Sequence, residues 1–181
     1  MSTTIRPRIR QLFVSRDMPQ LLRIEREWAY NPLSSKKFKD CLGRARGAIV
    51  VVDTAHGEMS PPLGYLIWNR DYKVASMAVL SDYWRKGIGS RMMSYLITIA
   101  RKHTRYVKVD VAEDNLSAQL FLRAIGLRWA RTLREHWRPG SDVYRFVLDL
   151  EYPRLLTNRI SKHYESVDCH PSTSEEREAS K

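Results

Sequence analysis

Residues 74–100 read VASMAVLSDYWRKGIGSRMMSYLITIA, a run that joins three patterns. Val74–Val79 predicts a short strand, and Arg91–His103 carries an apolar stripe at helical spacing. Between them lies the basic loop 81–90, which contains two glycines. The first N–H groups of a helix have no acceptor within the helix, and the helix dipole favours negative charge there. The order strand, loop, helix therefore predicts a site for phosphate groups.

The loop also has a simpler explanation. Gly87 and Gly89 would let the backbone approach an anion, because glycine has no Cβ, and Arg85 and Lys86 add positive charge. The loop nevertheless lacks the Gly-Lys-Ser/Thr ending of nucleotide hydrolases and the three glycines of the dinucleotide fingerprint. A tight turn that opens a helix accounts for the same glycines. Taken alone, this segment leaves both interpretations open.

Strands and helices alternate along the rest of the chain. The predicted strands are Ile9–Val14, Ala48–Asp53, Gly64–Trp68, Lys73–Leu80, Tyr106–Val111, Leu127–Leu133 and Val143–Leu150. The predicted helices start at Asp17, cover Ser35–Leu42 and Arg91–His103, and run from Asp114 or Asn115 to Gly126. The last two strands read as a hairpin closed by residues 138–142. This alternation favours a mixed α/β domain of the α+β class.

Length and composition exclude several classes of protein. The chain has 181 residues, the usual length of one domain, and a net charge of +11 that attracts anions. Two cysteines, Cys41 and Cys169, are too few for a disulfide framework or a four-cysteine zinc site, and we expect no metal. Free thiols suit a reducing compartment, so we expect a cytoplasmic protein. No apolar run approaches the roughly 20 residues that span a bilayer, and no secretory signal is recognisable.

The C-terminal residues differ in composition from the rest. Tyr164–Lys181 contains five acids and two bases, a charge of −3, which leaves +14 for residues 1–163. The segment is rich in Ser, Thr and Glu and has little to bury, so we expect it to be disordered from about residue 164. We accordingly place one domain at residues 1–152 and a C-terminal extension at residues 153–181.

Two segments at a characteristic distance suggest a family. The loop at residues 84–89 is followed about 30 residues later by Asn115–Leu127, NLSAQLFLRAIGL. Together they resemble the GNAT acetyltransferase superfamily, whose Gln/Arg-x-x-Gly-x-Gly/Ala loop binds the pyrophosphate of acetyl-CoA and whose later helix reads Asn-x-x-Ala-x-x-Leu-Tyr-x-x-x-Gly-Phe. The similarity covers about 140 residues, from the first strand to Leu150. Within the superfamily the chain is most similar to the ribosomal-protein alanine N-acetyltransferases (the RimI type), through Ile24-Glu25, residues 31–34, Val109–Val111, Leu133–Trp137 and Val143-Tyr144.

The resemblance implies a fold and a cosubstrate. The fold is the GNAT fold, a splayed and mostly antiparallel sheet of about seven strands with about four helices. Acetyl-CoA would be the cosubstrate, without a metal, and the acceptor a primary amine such as a protein N-terminal α-amine, acetylated by direct transfer. The residues implied in binding acetyl-CoA are Met77, Val79, Trp84, Arg85, Lys86, Gly87, Ile88, Gly89, Ser90 and Asn115.

The candidate catalytic residues follow partly from the resemblance and partly from chemistry. The resemblance implies that a backbone N–H near Val79 stabilises the thioester oxygen and that Asp110 aligns with the family's proposed general base. The family's helix tyrosine, a general acid, is Leu122 here. Imidazole can transfer protons near neutrality, so His136 is a candidate, and Tyr144 could replace the missing phenol. The simpler alternatives are a solvated or salt-bridged carboxylate for Asp110, a surface histidine for His136 and a packed tyrosine for Tyr144.

Two other functions stay open at this point. A GNAT-like domain with a reduced acid–base set could bind CoA without turnover, or associate with RNA or the ribosome through its charge, in a salt-dependent manner. A small amine could replace the peptide acceptor, although the basic surface disfavours cationic small molecules. The partners we expect are therefore acetyl-CoA, a protein or peptide N-terminus and, through charge alone, nucleic acid.

Overall fold

A computed structural model describes residues 5–57 and 60–151 of the chain. The seven strands are β1 (Pro7–Gln11), β2 (Gly47–Asp53), β3 (Pro62–Trp68), β4 (Lys73–Val79), β5 (Tyr106–Ala112), β6 (Arg128–Arg138) and β7 (Ser141–Asp149). The four α-helices are α1 (Val14–Trp28), α2 (Ser35–Arg44), α3 (Ile88–Ala100) and α4 (Leu116–Ala124). Short 3-10 turns at Thr54–His56 and Ser81–Tyr83 complete the described elements.

The strands form one sheet in the order β1-β2-β3-β4-β5-β7-β6. All neighbouring strands are antiparallel except β4 and β5, which are parallel. These two strands pair only at Lys73 with Lys108 and at Val74 with Val109. Beyond that point they separate, and the sheet splays open between Val79 and Ala112. The predicted class, a splayed and mostly antiparallel sheet with flanking helices, is confirmed.

Helices cover both faces of the sheet, because alternate residues of each strand point to opposite sides. On one face, Val107, Val109 and Val111 of β5 pack with Met92 and Leu96 of α3 in the larger core. On the other face, Val50 and Val52 of β2 pack with Leu21 and Ile24 of α1 and Phe38 of α2. The cleft between β4 and β5 therefore opens toward α3 and α4 on one side and toward α1 and α2 on the other.

Two boundaries at the start of the chain differ from the predictions. β1 runs from Pro7 to Gln11 and α1 begins at Val14, so the predicted strand Ile9–Val14 started and ended too late and the predicted helix started too late. Asp17 does not occupy the N-cap; it lies in the first turn, where its carboxylate accepts from the Phe13 N–H at 2.9 Å and pairs with Arg10 at 2.6 Å. The acid thus anchors the helix from inside its first turn, where negative charge is favourable.

Three later boundaries also differ. α3 starts at Ile88, directly after Gly87, and ends at Ala100, so it covers part of the predicted loop and stops before Arg101–His103. The final hairpin is longer than predicted, because β6 continues to Arg138 and only Pro139-Gly140 remain for its turn. His136 consequently lies within a strand rather than in a loop.

Part of the predicted organisation lies outside the described residues. The C-terminal extension at residues 153–181, with its expected disorder, falls wholly there, and the division at residue 152 stays a prediction. Within residues 5–57 and 60–151, no helix is both long enough and apolar enough to cross a membrane.

Candidate active site

The splay between β4 and β5 forms a cavity of about 380 Å³. The separation begins beside a bulge in β4. Ile67 of β3 pairs with Ser76 and the next residue, Trp68, pairs with Val74, so Ala75 is the extra residue of the bulge. The walls come from the diverging strands, from α4, and from two segments on the α1 side, namely Ala29–Asn31 and Trp137. The cavity therefore passes through the sheet and connects its two faces.

The edge of β4 that faces the splay offers backbone hydrogen bonds. The Leu80 N–H donates to the Leu63 carbonyl of β3 at 2.9 Å. In an antiparallel pair, alternate residues direct both backbone groups to the same neighbour. The N–H and C=O groups of Met77 and Val79 therefore point the other way, into the splay where β5 has separated. This is the arrangement that the predicted contacts of Met77 and Val79 with an extended ligand require.

The predicted phosphate loop lies at the open end of the splay. Gly87 has a φ of 77° in the left-handed region and precedes α3 without any side-chain cap. Helices α2 and α4, by contrast, are capped by the side chains of Ser34 and Asn115. The first N–H groups of α3 are thus left for an external acceptor. A Cβ on Gly89 would lie 3.2 Å from Met77 Cε and from Phe121 Cζ, so this position is closely packed.

The remaining loop residues have distinct surroundings. Trp84 is half exposed, and its indole Nε1 donates to the Val79 carbonyl at 2.7 Å, which ties the start of the loop to the end of β4. Arg85 adopts a positive φ of 58°, and the Lys86 ammonium lies 5.0 Å from the Tyr83 ring centroid. Ile88 is buried in the larger core, and Ser90 is partly buried on the first turn of α3. Ile88 can therefore offer a ligand only its backbone.

Four residues of the α4 segment line the cavity: Asn115, Ala118, Phe121 and Leu122. The Asn115 Oδ1 accepts from the Ala118 N–H at 3.1 Å, so its side chain caps α4 while it also faces the cavity. Leu122 is buried at the cavity wall, at the position where the resemblance implies a tyrosine. No phenol is therefore supplied from α4.

Asp110 is held by two cations. Arg145 donates from Nε to Oδ1 at 2.8 Å and from Nη2 to Oδ2 at 3.1 Å, and the Lys73 ammonium lies 2.5 Å from Oδ2. Burial disfavours the charged carboxylate, but the hydrogen bonds from Arg145 and Lys73 outweigh that cost, so the pKa of Asp110 lies below its usual value. A carboxylate with a lowered pKa and both oxygens engaged is a weak base. The geometry therefore favours an electrostatic role for Asp110 over the predicted role of general base.

A second carboxyl, Glu25, lies close to the cavity in a different environment. Its side chain accepts from the Tyr65 hydroxyl, from the Ser76 hydroxyl at 3.3 Å and from the Leu33 N–H at 2.7 Å. Burial raises the pKa of Glu25, although the hydrogen bonds from Leu33 and Ser76 oppose the shift. Ser76 lines the cavity, so Glu25 reaches it through one hydroxyl. Two carboxyls with oppositely shifted pKa values are the usual mark of divided acid–base roles.

The other two predicted catalytic residues lie away from the cavity lining. β6 leaves its register with β7 between Leu133 and Arg138, and Glu135 there has a positive φ of 46°. Within this irregular stretch His136 is exposed, whereas Trp137 reaches the cavity. Tyr144 pairs with Val111 and packs against the larger core. Its neighbour Arg145 points to the opposite face of the sheet, where it meets Asp110. The roles of His136 and Tyr144 stay predictions.

Sequence reasoning missed the residues around Glu25 and Asp110. Glu25 belongs to a segment that resembles the family, but the sequence assigns it no chemistry, and it does not single out Ser76, Lys73 or Arg145. A polar residue at an otherwise apolar helix position is the one available signal, and it points to Glu25. Within residues 5–57 and 60–151, no group of three His, Cys, Asp or Glu could hold a metal ion.

Comparison with known proteins gives a consistent result. The model of the Acetyltransferase (GNAT) family matches residues 15–127, more than half of the chain. No curated protein matches the sequence significantly.

Several solved structures share the architecture. The ribosomal-protein-S18-alanine N-acetyltransferase from Escherichia coli superposes with a TM-score of 0.67 at 20% identity, over 80% of this chain and 94% of that one. Ard1 from Thermoplasma volcanium superposes with a TM-score of 0.69 at 17% identity, over 79% of this chain and 97% of that one. The structure of Arabidopsis thaliana NAA60 in complex with acetyl-CoA superposes with a TM-score of 0.68 at 16% identity, over 80% of this chain and 99% of that one. At these identities the similarity concerns the fold.

Proposed function

This chain belongs to the acetyltransferase (GNAT) family, and from that premise we propose that it is an acetyl-CoA-dependent N-acetyltransferase. The acceptor we propose is a primary amine at a protein N-terminus. One observation carries the proposal: the edge of β4 that faces the splay, with the Met77 backbone groups and the Val79 N–H, leads directly to the N-terminus of α3, which has no side-chain cap. An extended pantetheine arm that ends in a pyrophosphate matches that pair of features.

The residues of the site fit acetyl-CoA in two respects. The Met77 N–H and C=O groups can pair with the amides of the arm as an added strand would. The N–H groups around Gly87 and Gly89 and the charges of Arg85 and Lys86 can hold the pyrophosphate. When bound, the thioester supplies an activated acetyl group. The Val79 N–H, which points into the splay between β4 and β5, is the donor that we propose for the charge that develops on the carbonyl oxygen.

The cavity supports direct transfer in a ternary complex. It opens on both faces of the sheet, so an amine can enter from the α1 side, beside Tyr30 and Trp137, while the cosubstrate occupies the α3 side. Within the described residues, Cys41 is the one free cysteine, and it packs among α1 and α2 rather than at the cavity. A covalent acetyl-cysteine step therefore has no support. Positioning alone can supply effective molarities of about 10⁵–10⁸ M.

The proton that the amine loses has a route through Ser76. The Ser76 hydroxyl lies 3.3 Å from Glu25 Oε2 and faces the cavity, so it can pass a proton from the amine to the ionised Glu25. The raised pKa of Glu25 makes its carboxylate a better base than that of Asp110. We keep Asp110, His136 and Tyr144 as alternatives for this step.

The first experiment is titration of the protein with acetyl-CoA, followed by CoA-release assays on N-terminal peptides. Binding with turnover of a peptide that begins with Ala or Ser is the expected result. Binding without turnover of any peptide would contradict the acceptor and favour a small amine or a non-catalytic role. Salt-dependent RNA binding without acetyl-CoA binding would contradict the transferase and favour the charge-driven alternative.

Replacing Ser76 by alanine tests the proton route. We expect kcat to fall by about 10²-fold, in the range typical of general acid–base groups, with the affinity for acetyl-CoA unchanged. Ser94→Ala, an exposed position on α3, is the matched control and should leave kcat unchanged. Unchanged turnover of Ser76→Ala would rule out the relay, and Asp110→Asn, His136→Gln and Tyr144→Phe would then be compared in the same assay.

A further inference from the structure

Tyr65 is a buried tyrosine whose hydroxyl touches both members of the proposed proton route. Its side chain is fully buried among apolar residues of α1, α2 and β2, and its ring meets that of Phe38 edge-on, at 5.4 Å between centroids. The hydroxyl donates to Glu25 Oε2 and lies 3.0 Å from Ser76 Oγ. These polar contacts fix the hydroxyl of an otherwise apolar side chain.

Pairing within the sheet sets this arrangement. Tyr65 of β3 pairs with Ala78 of β4, and Ser76, two residues before Ala78, pairs with Ile67. Paired residues of antiparallel strands direct their side chains to the same face, so Tyr65 and Ser76 are diagonal neighbours on the face that α1 covers. Glu25 of α1 contacts both of them. The three side chains are thus held by a helix and two strands.

The hydrogens of these three side chains point in one direction. An ionised carboxylate only accepts, so Glu25 takes the single hydrogen of Tyr65 in a charge-assisted bond. The Ser76 hydroxyl then faces two acceptors, Tyr65 Oη at 3.0 Å and Glu25 Oε2 at 3.3 Å. Its hydrogen is directed at them, which leaves its lone pairs for the cavity that it lines. Ser76 is thereby oriented to accept a proton from the cavity and to pass its own to Glu25.

Glu25 depends on donors in order to carry a charge. Burial raises the pKa of Glu25, and the hydrogen bonds from Leu33 and Ser76 oppose that shift. The Leu33 N–H bonds to Oε1 at 2.7 Å, whereas the Ser76 contact with Oε2 is long, at 3.3 Å. The Tyr65 hydroxyl is therefore the principal donor to Oε2, and a hydrogen bond to the charged form favours that form.

Other ionisable groups near Glu25 do not supply this donor. The elements that pack with α1 are α2, β2, β3 and β4. Besides Tyr65, the ionisable side chains that these elements place on the same face, within the described residues, are Cys41 of α2 and Lys73 of β4. Burial and the charge of Glu25 raise the pKa of Cys41, so its thiol is uncharged near neutrality. The Lys73 ammonium is bound to Asp110.

From these contacts, and resting on the function proposed above, we infer that Tyr65 is a positioning residue of the acetyl transfer, whose hydroxyl keeps Glu25 ionised and aimed at Ser76. In the reaction the amine nitrogen bonds the acetyl carbon, and CoA leaves as the thiolate. The amine proton goes to Ser76 Oγ while the proton of Ser76 goes to Glu25 Oε2, and Tyr65 keeps its own. Glu25 is 1% exposed, so its proton returns to the cavity through Ser76 after the product has left.

Tyr65→Phe tests this role, because it removes the hydroxyl and keeps the ring against Phe38. Loss of a donor to the carboxylate should raise the pKa of Glu25 by about one unit, a tenfold effect. The ratio of kcat/KM for the variant to that for the wild type should then fall to about one tenth at acidic pH. It should rise toward one at alkaline pH, where Glu25 is ionised in both proteins. Ionisation of the acceptor amine affects both proteins equally and cancels in the ratio.

A control variant separates this effect from the loss of any buried hydroxyl. Tyr72 is also buried, and within the described residues its hydroxyl has no hydrogen-bond partner, so Tyr72→Phe should give a ratio near one at every pH. A ratio for Tyr65→Phe that does not change with pH, at whatever level, would overturn the inference, because a structural defect lowers the rate at every pH. Absence of turnover in the unaltered protein would instead contradict the proposed function.

Carbon-13 NMR of the Glu25 carboxyl tests the same contact without an acceptor. Its signal is the one that disappears in Glu25→Gln, and its midpoint should lie about one pH unit higher in Tyr65→Phe than in the wild type. Ser76→Ala keeps the bond from Tyr65 and loses only the long contact, so its midpoint should rise by less than about half a unit. A rise of one unit or more in Ser76→Ala would assign the control of Glu25 to Ser76 and overturn the inference, even if Tyr65→Phe does not fold.

Discussion

Gly89→Glu is expected to weaken acetyl-CoA binding by at least about 100-fold, or about 2.8 kcal/mol, while the protein stays folded. The substitution puts a carboxylate among the N–H groups that we assign to the pyrophosphate, so two anions would share one site. Negative charge in the first turn of a helix is favourable, and the Met77 and Phe121 side chains, 3.2 Å from a Cβ at this position, must shift slightly to admit the side chain. Isothermal titration with acetyl-CoA measures the loss, and the unfolding temperature reports on the fold.

Two further glycine variants separate charge from size. Gly89→Ala adds only a Cβ, 3.2 Å from the mobile Met77 Cε and from Phe121 Cζ, so its effect should be far smaller. Gly43→Glu adds the same charge on α2, where a Cβ meets nothing within 4 Å, and should bind acetyl-CoA normally. Undiminished affinity of Gly89→Glu would show that the phosphate loop had been placed wrongly.

Asp110→Asn is expected to lower the free energy of unfolding at pH 7 by about 3–5 kcal/mol, the usual cost of removing one partner of a buried ion pair. The change leaves the charges of Lys73 and Arg145 without their carboxylate. Urea denaturation at neutral pH measures the difference. Asp40→Asn, an exposed position on α2, is the control and should change the free energy by less than about 0.5 kcal/mol.

The contribution of Asp110 to the free energy of unfolding should depend on pH in a definite direction. The folded protein lowers the pKa of Asp110, so its ionised form contributes stability fully above the unfolded pKa of about 3.9. That contribution is lost as the pH falls below about 4 and through the lowered folded pKa. The difference between the wild type and Asp110→Asn should therefore be constant from about pH 5 to 7 and shrink in acid. A difference that is absent at pH 7 would contradict the ion cluster.

Local features of the chain were predictable because their causes are local. The loop around Gly87 and Gly89, the helix after it and the cap at Asn115 depend on residues within a few positions of one another. The alternation of Tyr106–Val111 correctly placed Asp110 on the polar face of its strand. The helix starts predicted at Asp17 and Arg91 differ from the observed starts at Val14 and Ile88 by one turn or less. The same residue types are common at the N-cap and in the first turn, so a sequence pattern does not separate these positions.

The chemistry of the site depended on contacts between distant segments. Asp110 and Arg145 are 35 residues apart in the sequence, and Glu25 and Ser76 are 51 residues apart, so no spacing in the sequence could pair them. The same holds for the bulge in β6, which leaves His136 exposed and brings Trp137 to the cavity. A sequence pattern shows which face of an element a residue occupies, but not what packs against that face.

The sequence by itself determined the class of the sheet, the glycine turn that opens α3 and the family, because glycine positions, helix starts and strand alternation are short-range properties of the chain. Only the tertiary structure decided which carboxyl has its pKa lowered and which has it raised. Burial and charged neighbours shift a pKa, and both are set by how α1, β4, β5 and β7 meet at the splay.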